Sequence, residues 1–200
     1  GEVPKTSWSS EETFNLKPKV KTLMALVAGL ILFGLGEALL VSSQMGVSPW
    51  TALAQGLANF SELGLGLTTF LISIFVLFLW IPLKQKPGIG TVLNAIIISI
   101  VLHFAIPSLP VFEENLLRLI QAILGVFITG IGGGIYLIAN LGPGARDGLM
   151  TGLQRVTKFP IAWIRSTIEL TVLTIGWWLG GVVGLGTVIF ALGIGPCLAI

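Results

Sequence analysis

The sequence predicts an all-α polytopic membrane protein. Six transmembrane helices are joined by two short interfacial or re-entrant helices, in an inverted-topology internal repeat of three plus three. Three observations predict this: a composition almost without charge, apolar runs of spanning length, and a self-match along the chain. Of 200 residues, 54% are hydrophobic and 10% charged, with a mean hydropathy of +0.97. Soluble domains carry about 25% charged residues, and a soluble fold this poor in charge would expose large apolar patches. A soluble globular protein and a disordered chain are therefore both excluded. Cys197 and His103 are single residues of their kinds, which excludes an intrachain disulfide, a cysteine metal cluster and a His-rich metal site. No metal or cofactor is expected.

Residues 1–21 form a polar tail of mixed charge, ending in a basic patch of Lys17, Lys19 and Lys21. The apolar run after it is too long for a signal-peptide core and lacks an A-x-A site, so the tail is expected to be cytoplasmic. A spanning helix needs about 20 mostly apolar residues. Six segments qualify: Leu23–Val41, Leu67–Leu83, Ile89–Ile106, Leu116–Ala139, Ile161–Leu179 and Leu185–Ile200. Pro49–Phe60 and Gly144–Phe159 are too short and polar to span, and each has a helical rhythm after a Gly/Pro break.

Orientation follows from the positive-inside rule. Lys17, Lys19 and Lys21 precede the first span, Lys84 and Lys86 follow the second, and Arg146, Arg155 and Lys158 separate the fourth from the fifth. If the two short helices do not cross, all three clusters share one side. The chain is then expected in a bacterial inner membrane with both termini cytoplasmic. Arg118, beside Glu113 and Glu114, is the one dissenting charge.

A shift of 96 residues sets Gly29 on Gly125, Gly34 on Gly130, Gly36 on Gly132 and Gly46 on Gly142. The same shift sets Gly88–Val92 on Gly184–Val188. Glycines in one register are hard to obtain by chance. The halves, 22–110 and 111–200, each hold three spans and a short helix. Three is odd, so the second half enters the membrane inverted, an arrangement from which many secondary transporters are built. Their sites lie at the repeat interface, beside interrupted helices. Inverted repeats also build compact bundles that transport nothing, and glycines at such spacing serve helix packing.

Charge at membrane depth costs at least about 2.5–3.5 kcal/mol per residue and marks function by default. Glu37 lies in the first span, Arg165 and Glu169 in the fifth. Arg165 and Glu169 stand i, i+4 and can pair, either as a structural ion pair or facing a cavity. Arg146 and Asp147 open the second short helix; Asp147 could simply favour the helix N-terminus, and Arg146 could be a cytoplasmic anchor. Two cations and three carboxylates leave one carboxylate unmatched. Glu37, alone in its helix, is the candidate proton-coupling residue, with a permanently neutral glutamate as the bland alternative. The expected substrate-binding set is Arg165, Glu169, Arg146 and Asp147, with Ser48 and Trp50 opposite. His103, Asn94, Asn140, Gln44, Thr91 and Thr187 have weaker claims. Trp80, Trp163, Trp177 and Trp178 fall near span ends and read as interfacial anchors.

Enzymatic chemistry lacks its parts: no H-E-x-x-H, nucleophile elbow or Walker lysine is present. No enzymatic activity and no nucleic-acid partner are expected.

Gly142-Pro143-Gly144-Ala145-Arg146-Asp147-Gly148-Leu149-Met150, Arg165-Ser-Thr-Ile-Glu169-Leu and Gly46-Val47-Ser48-Pro49-Trp50 resemble the YczE/YitT-type bacterial membrane proteins. The resemblance covers Leu23 to Ile200 and implies a bacterial inner-membrane protein whose recurring polar residues are here Arg146, Asp147, Arg165 and Glu169. It gives no substrate. Ala145 stands where such proteins commonly carry proline.

The resulting expectation is a secondary carrier for a small solute, with the bilayer as its other partner. Six helices with much glycine-rich surface leave room for a homodimer. The competing readings are a channel, which would need a continuous polar stripe, and a non-transporting scaffold subunit, for which the polar tail would serve as a docking segment.

Overall fold

The computed structural model describes residues 19–198, with side chains through residue 193. Most of the predicted tail, and Cys197's side chain, therefore lie outside the described residues. The described residues form eight α-helices and no strand: α1 (Val20–Ser43), α2 (Pro49–Ser61), α3 (Leu65–Leu79), α4 (Ile89–Ser108), α5 (Asn115–Ala139), α6 (Ala145–Thr157), α7 (Ile161–Trp178) and α8 (Leu185–Leu198). α2 starts with Pro49 in its first turn, where the missing N–H is harmless. α6 starts directly after Pro143-Gly144.

Among the described residues, length and composition single out fewer crossings than the six expected. α1, α4 and α5 are long and apolar enough, and the bent pair α2–α3, which turns by 114°, adds a fourth if it counts as one span. α3 has 15 residues and reaches roughly 22 Å at 1.5 Å per residue, short of an apolar core about 30 Å thick. The reason lies in the predicted span Leu67–Leu83: its last residues, around Pro82, form turns instead of helix. α7 has 18 residues but carries Arg165 and Glu169.

The fold is organised around α1 and α5, which make its most extensive helix contact. They run antiparallel. A Cβ on Gly29 would lie 3.0 Å from the Gly132 carbonyl oxygen, while one on Gly36 would lie 2.6 Å from that of Gly125. A Cβ on Gly125 would in turn lie 2.8 Å from the Gly36 oxygen. Such contacts leave room only for glycine, which lets the backbones touch.

Each of these helices ends in the same bend. Gln44 and Gly46 follow α1 with φ of 57° and 118°; Asn140 and Gly142 follow α5 with 58° and 119°. At Gly46 and Gly142 the left-handed φ favours glycine, and the space is also taken. A Cβ on Gly46 would lie 2.6 Å from the Gly184 amide, and one on Gly142 3.1 Å from Cα of Gly88. Each bend is held by the helix start that follows those glycines. Gly90 N–H donates to the Leu141 carbonyl at 2.8 Å and Gly186 N–H to that of Met45 at 2.8 Å. The Thr91 hydroxyl donates to the Pro143 carbonyl at 2.6 Å and the Thr187 hydroxyl to that of Val47 at 2.8 Å.

The buried apolar side chains follow the same plan. Leu26 and Leu30 of α1 pack with Ile98 and Leu102 of α4. Ala122 and Val126 of α5 pack with Leu40, Val47 and Ala52. Outward-facing positions are also apolar, including Phe75 and Phe78 on α3, Ile100 and Phe104 on α4, and Ile120 and Ile123 on α5, as contact with lipid requires.

Two expectations about individual residues change. Trp163, Trp177 and Trp178 are exposed, but Trp80 is 1% exposed. Its Nε1–H donates to the Ala145 carbonyl at 2.9 Å, with its ring against Gly148. It is a core residue because glycine on α6 opens a slot for it. Arg118, the charge that broke the positive-inside pattern, donates to the carbonyls of Ser43 and Gln44 at 2.9 and 2.8 Å. It caps the C-terminal end of α1, where unpaired carbonyls favour a cation.

Candidate functional site

Glu37 sits on α1 nearly two turns before its end at Ser43 and is 2% exposed. The bend after α1 brings α2's first turn back over it. Thr51 Oγ1 donates to Glu37 Oε2 at 2.9 Å. Ser48 Oγ lies 3.1 Å from the same oxygen and 2.9 Å from Thr51 Oγ1. Ser48 is the N-cap residue of α2 yet makes no side-chain cap bond, because its hydroxyl is committed to this cluster. A buried carboxylate is tolerable only when its oxygens are engaged, and these two hydroxyls engage them.

In front of Glu37 lies a cavity walled by α1, α2, α3, α4 and α6. Its polar lining comprises Glu37, Trp50, Thr51, Thr69, Ser73, Asn94 and Arg146. Its free space accommodates about two water-sized guests, so the site is narrow in this conformation. Arg146 acts electrostatically on Glu37 across it. Among the described residues, no carboxylate is within ion-pair distance of Arg146. Two further polar atoms of the lining, Trp50 Nε1 and Thr69 Oγ1, are buried without a hydrogen-bond partner.

Asp147, the next residue, belongs to a different set. Its Oδ2 accepts from the Tyr136 hydroxyl at 2.8 Å, and its Oδ1 lies 3.2 Å from Arg165 Nη2. Arg165 Nε is 3.5 Å from Glu169 Oε1, the i, i+4 pair expected from the spacing. This chain is half-exposed: Arg165's side chain is 52% accessible. Asp147 therefore joins α6 to α5 and α7, and makes no side-chain bond as a helix cap.

The predicted residues thus fall into two groups. Glu37, Ser48, Trp50 and Arg146 surround or back the cavity; Asp147, Arg165 and Glu169 form a neighbouring chain on its α6–α7 side. Asp147 and Glu169 share Arg165, while Arg146 acts on both Glu37 and Glu169. Tyr136, Thr51 and Thr69 complete these groups. Tyr136 is the chain's single tyrosine, a signal that could have singled it out at membrane depth. Thr51 and Thr69 are the 96-residue mates of Asp147 and Arg165, so the repeat already pointed at them. Among the described residues, no cluster of His, Cys, Asp or Glu could hold a metal ion.

The family model described as "Family of unknown function (DUF6198)" matches residues 20–200. The chain belongs to that family. It is 39% identical to an uncharacterized protein of Haemophilus influenzae, over 96% of this chain and 88% of the relative. It is 33% identical to the uncharacterized membrane protein YczE of Bacillus subtilis, over 82% of this chain and 78% of the relative. The protein YyaS of the same bacterium, also uncharacterized, is 27% identical over 80% of this chain. No solved structure matches. The YczE likeness read from the Gly-Pro-Gly-x-Arg-Asp segment stands, and the chain is an integral membrane protein of a bacterial family.

Proposed function

We propose that this protein is a secondary carrier for a small solute, binding it between two inverted halves at the cavity that Glu37 and Arg146 share. The carrying observation is that cavity: a buried carboxylate of α1 and a guanidinium of α6 face the same space, which the first turn of α2 also lines. Opposite charges at membrane depth are retained where they do work on a solute or a proton.

The proposed halves are 22–110 and 111–200, each crossing three times. The antiparallel packing of α1 and α5 supports inversion, as do helix starts in one register: Pro49 with Ala145, Leu65 with Ile161, and Ile89 with Leu185. With α2 and α6 not crossing, the shared side of the basic clusters supports a bacterial inner-membrane location with both termini cytoplasmic. Glu37 is proposed as the proton-coupling residue. Arg146 is the charged group that acts on it, and Ser48 and Thr51 hold it. Asp147, Arg165 and Glu169 are proposed as the gate on the α6–α7 side, able to trade partners as the halves rock. A homodimer in the membrane fits the small size of each copy.

The test is reconstitution of the full chain into vesicles loaded with a pH-sensitive dye. Amino acids, organic acids, nucleobases and ions are added outside in turn. A carrier gives a solute-dependent change in lumenal pH that Glu37→Gln abolishes while solute binding persists. Flux that ignores pH and survives Glu37→Gln unchanged would refute the coupling role. No flux with any class, together with a constant co-purifying protein, would refute transport itself.

A further inference from the structure

Resting on the carrier reading, we infer that the solute is a small monocarboxylate, held by Arg146, Trp50 Nε1 and Thr69 Oγ1. The cavity's lining holds a guanidinium without an ion pair and an indole N–H without an acceptor. Its one carboxylate, Glu37, already accepts from Thr51 and is in contact with Ser48. Against this, the guanidinium of Arg146 makes no ion pair or hydrogen bond among the described residues. Trp50 Nε1 and Thr69 Oγ1 are buried with no partner, and an indole N–H can only donate. Native proteins rarely leave buried donors unmade, and each such group asks for an explanation. Arg146, Trp50 Nε1 and Thr69 Oγ1 face the one cavity from α6, α2 and α3 and can converge on a group that accepts.

The chemistry of that group follows from its neighbours. Arginine's planar fork matches a carboxylate with two parallel bonds, and the two orphan donors can take its remaining lone pairs. One negative charge is the number the site can hold. With a proton on Glu37, a monoanion neutralises Arg146, whereas a dianion would leave net charge in a low-dielectric space. The rest of the solute meets Phe33, Ile72 and the Trp50 ring, an apolar end so narrow that the solute must be small.

The deciding experiment is thermal unfolding of the purified full-length protein with sodium acetate, against sodium chloride at equal ionic strength. Acetamide, methylammonium chloride and sodium phosphate are the remaining arms. A ligand of the native state raises the midpoint by mass action. Acetate is expected to protect saturably and the other arms not. Trp50→Phe and Thr69→Val should weaken acetate's apparent affinity about tenfold or more while leaving the ligand-free midpoint unchanged or higher, since each removes an orphaned donor. Arg146→Gln should abolish protection. Wild-type affinity in all three variants would overturn the inference. Protection by acetamide, methylammonium or phosphate in preference to acetate would also overturn it, and would leave the carrier reading standing. No protection by any arm, with no flux in vesicles, removes both.

Discussion

Replacing Thr91 or Thr187 with valine should destabilise the protein by similar amounts, because the two hydroxyls make the same pair of bonds at opposite bends. Thr91 Oγ1 donates to the Pro143 carbonyl at 2.6 Å and accepts from the Gly88 amide at 3.2 Å. Thr187 Oγ1 donates to the Val47 carbonyl at 2.8 Å and accepts from the Gly184 amide at 3.3 Å. Side-chain hydrogen bonds between membrane helices average about 0.6 kcal/mol and reach roughly 1.7. Valine keeps the shape and removes both bonds, so each variant should lose about 1.2 kcal/mol, and up to about 3 where the abandoned carbonyl finds no substitute. The lower figure is a shift of roughly sevenfold in the folded-to-unfolded ratio. Reversible denaturation in mixed detergent micelles, followed by tryptophan fluorescence, measures it. The two sites share no partner, so the double variant should lose the sum within about 0.5 kcal/mol. Threonine-to-serine at either site should retain most of the stability. A valine variant as stable as the parent would refute the argument, as would serine variants no better than valine.

Further outcomes follow from the same structure. Gly36→Leu or Gly132→Leu should prevent stable folding, since even a Cβ there enters the opposite helix's backbone and overpacking alone costs roughly 1–3 kcal/mol; loss of the monodisperse peak in size-exclusion chromatography reads this out. Trp80→Phe should cost about 1 kcal/mol by removing the bond from its Nε1–H to the Ala145 carbonyl, measured by the same denaturation assay. Arg118→Met should cost about 0.3–1 kcal/mol by uncapping α1, with faster amide exchange at the end of that helix. Tyr136→Phe should leave Asp147 held by Arg165 alone and raise the reactivity of a cysteine introduced at Thr151 toward a polar thiol reagent.

Much of this was legible in the residues because apolar length and Gly/Pro punctuation are local signals. Each of the eight predicted segments contains a helix, and the starts Pro49, Ile89, Ile161 and Leu185 agree with the expected ones. The number of crossings was less legible, because an apolar run such as Leu67–Leu83 does not reveal where Pro82 ends its helix. The site was legible by residue type and not by grouping. Arg146 and Asp147 are neighbours in sequence, and a helix turns adjacent side chains about 100° apart, so they serve different sets. Trp80 was misread because its slot exists only through Gly148, a tertiary fact with no local trace. Tyr136 and Thr69 matter through what lies across from them, which periodicity does not encode.

The reciprocal clasp of the two bends also bears on biogenesis. The bond from Thr187 to Val47 spans 140 residues, whereas that from Thr91 to Pro143 spans 52. During synthesis the corner between α1 and α2 therefore stays unlatched until α8 has emerged, while its counterpart after α5 finds α4 already waiting. Closing so long a loop is slow relative to local pairing. α8 thus acts as a fastener: insertion of the earlier helices leaves Glu37's corner free to open until Thr187 arrives to complete the latch.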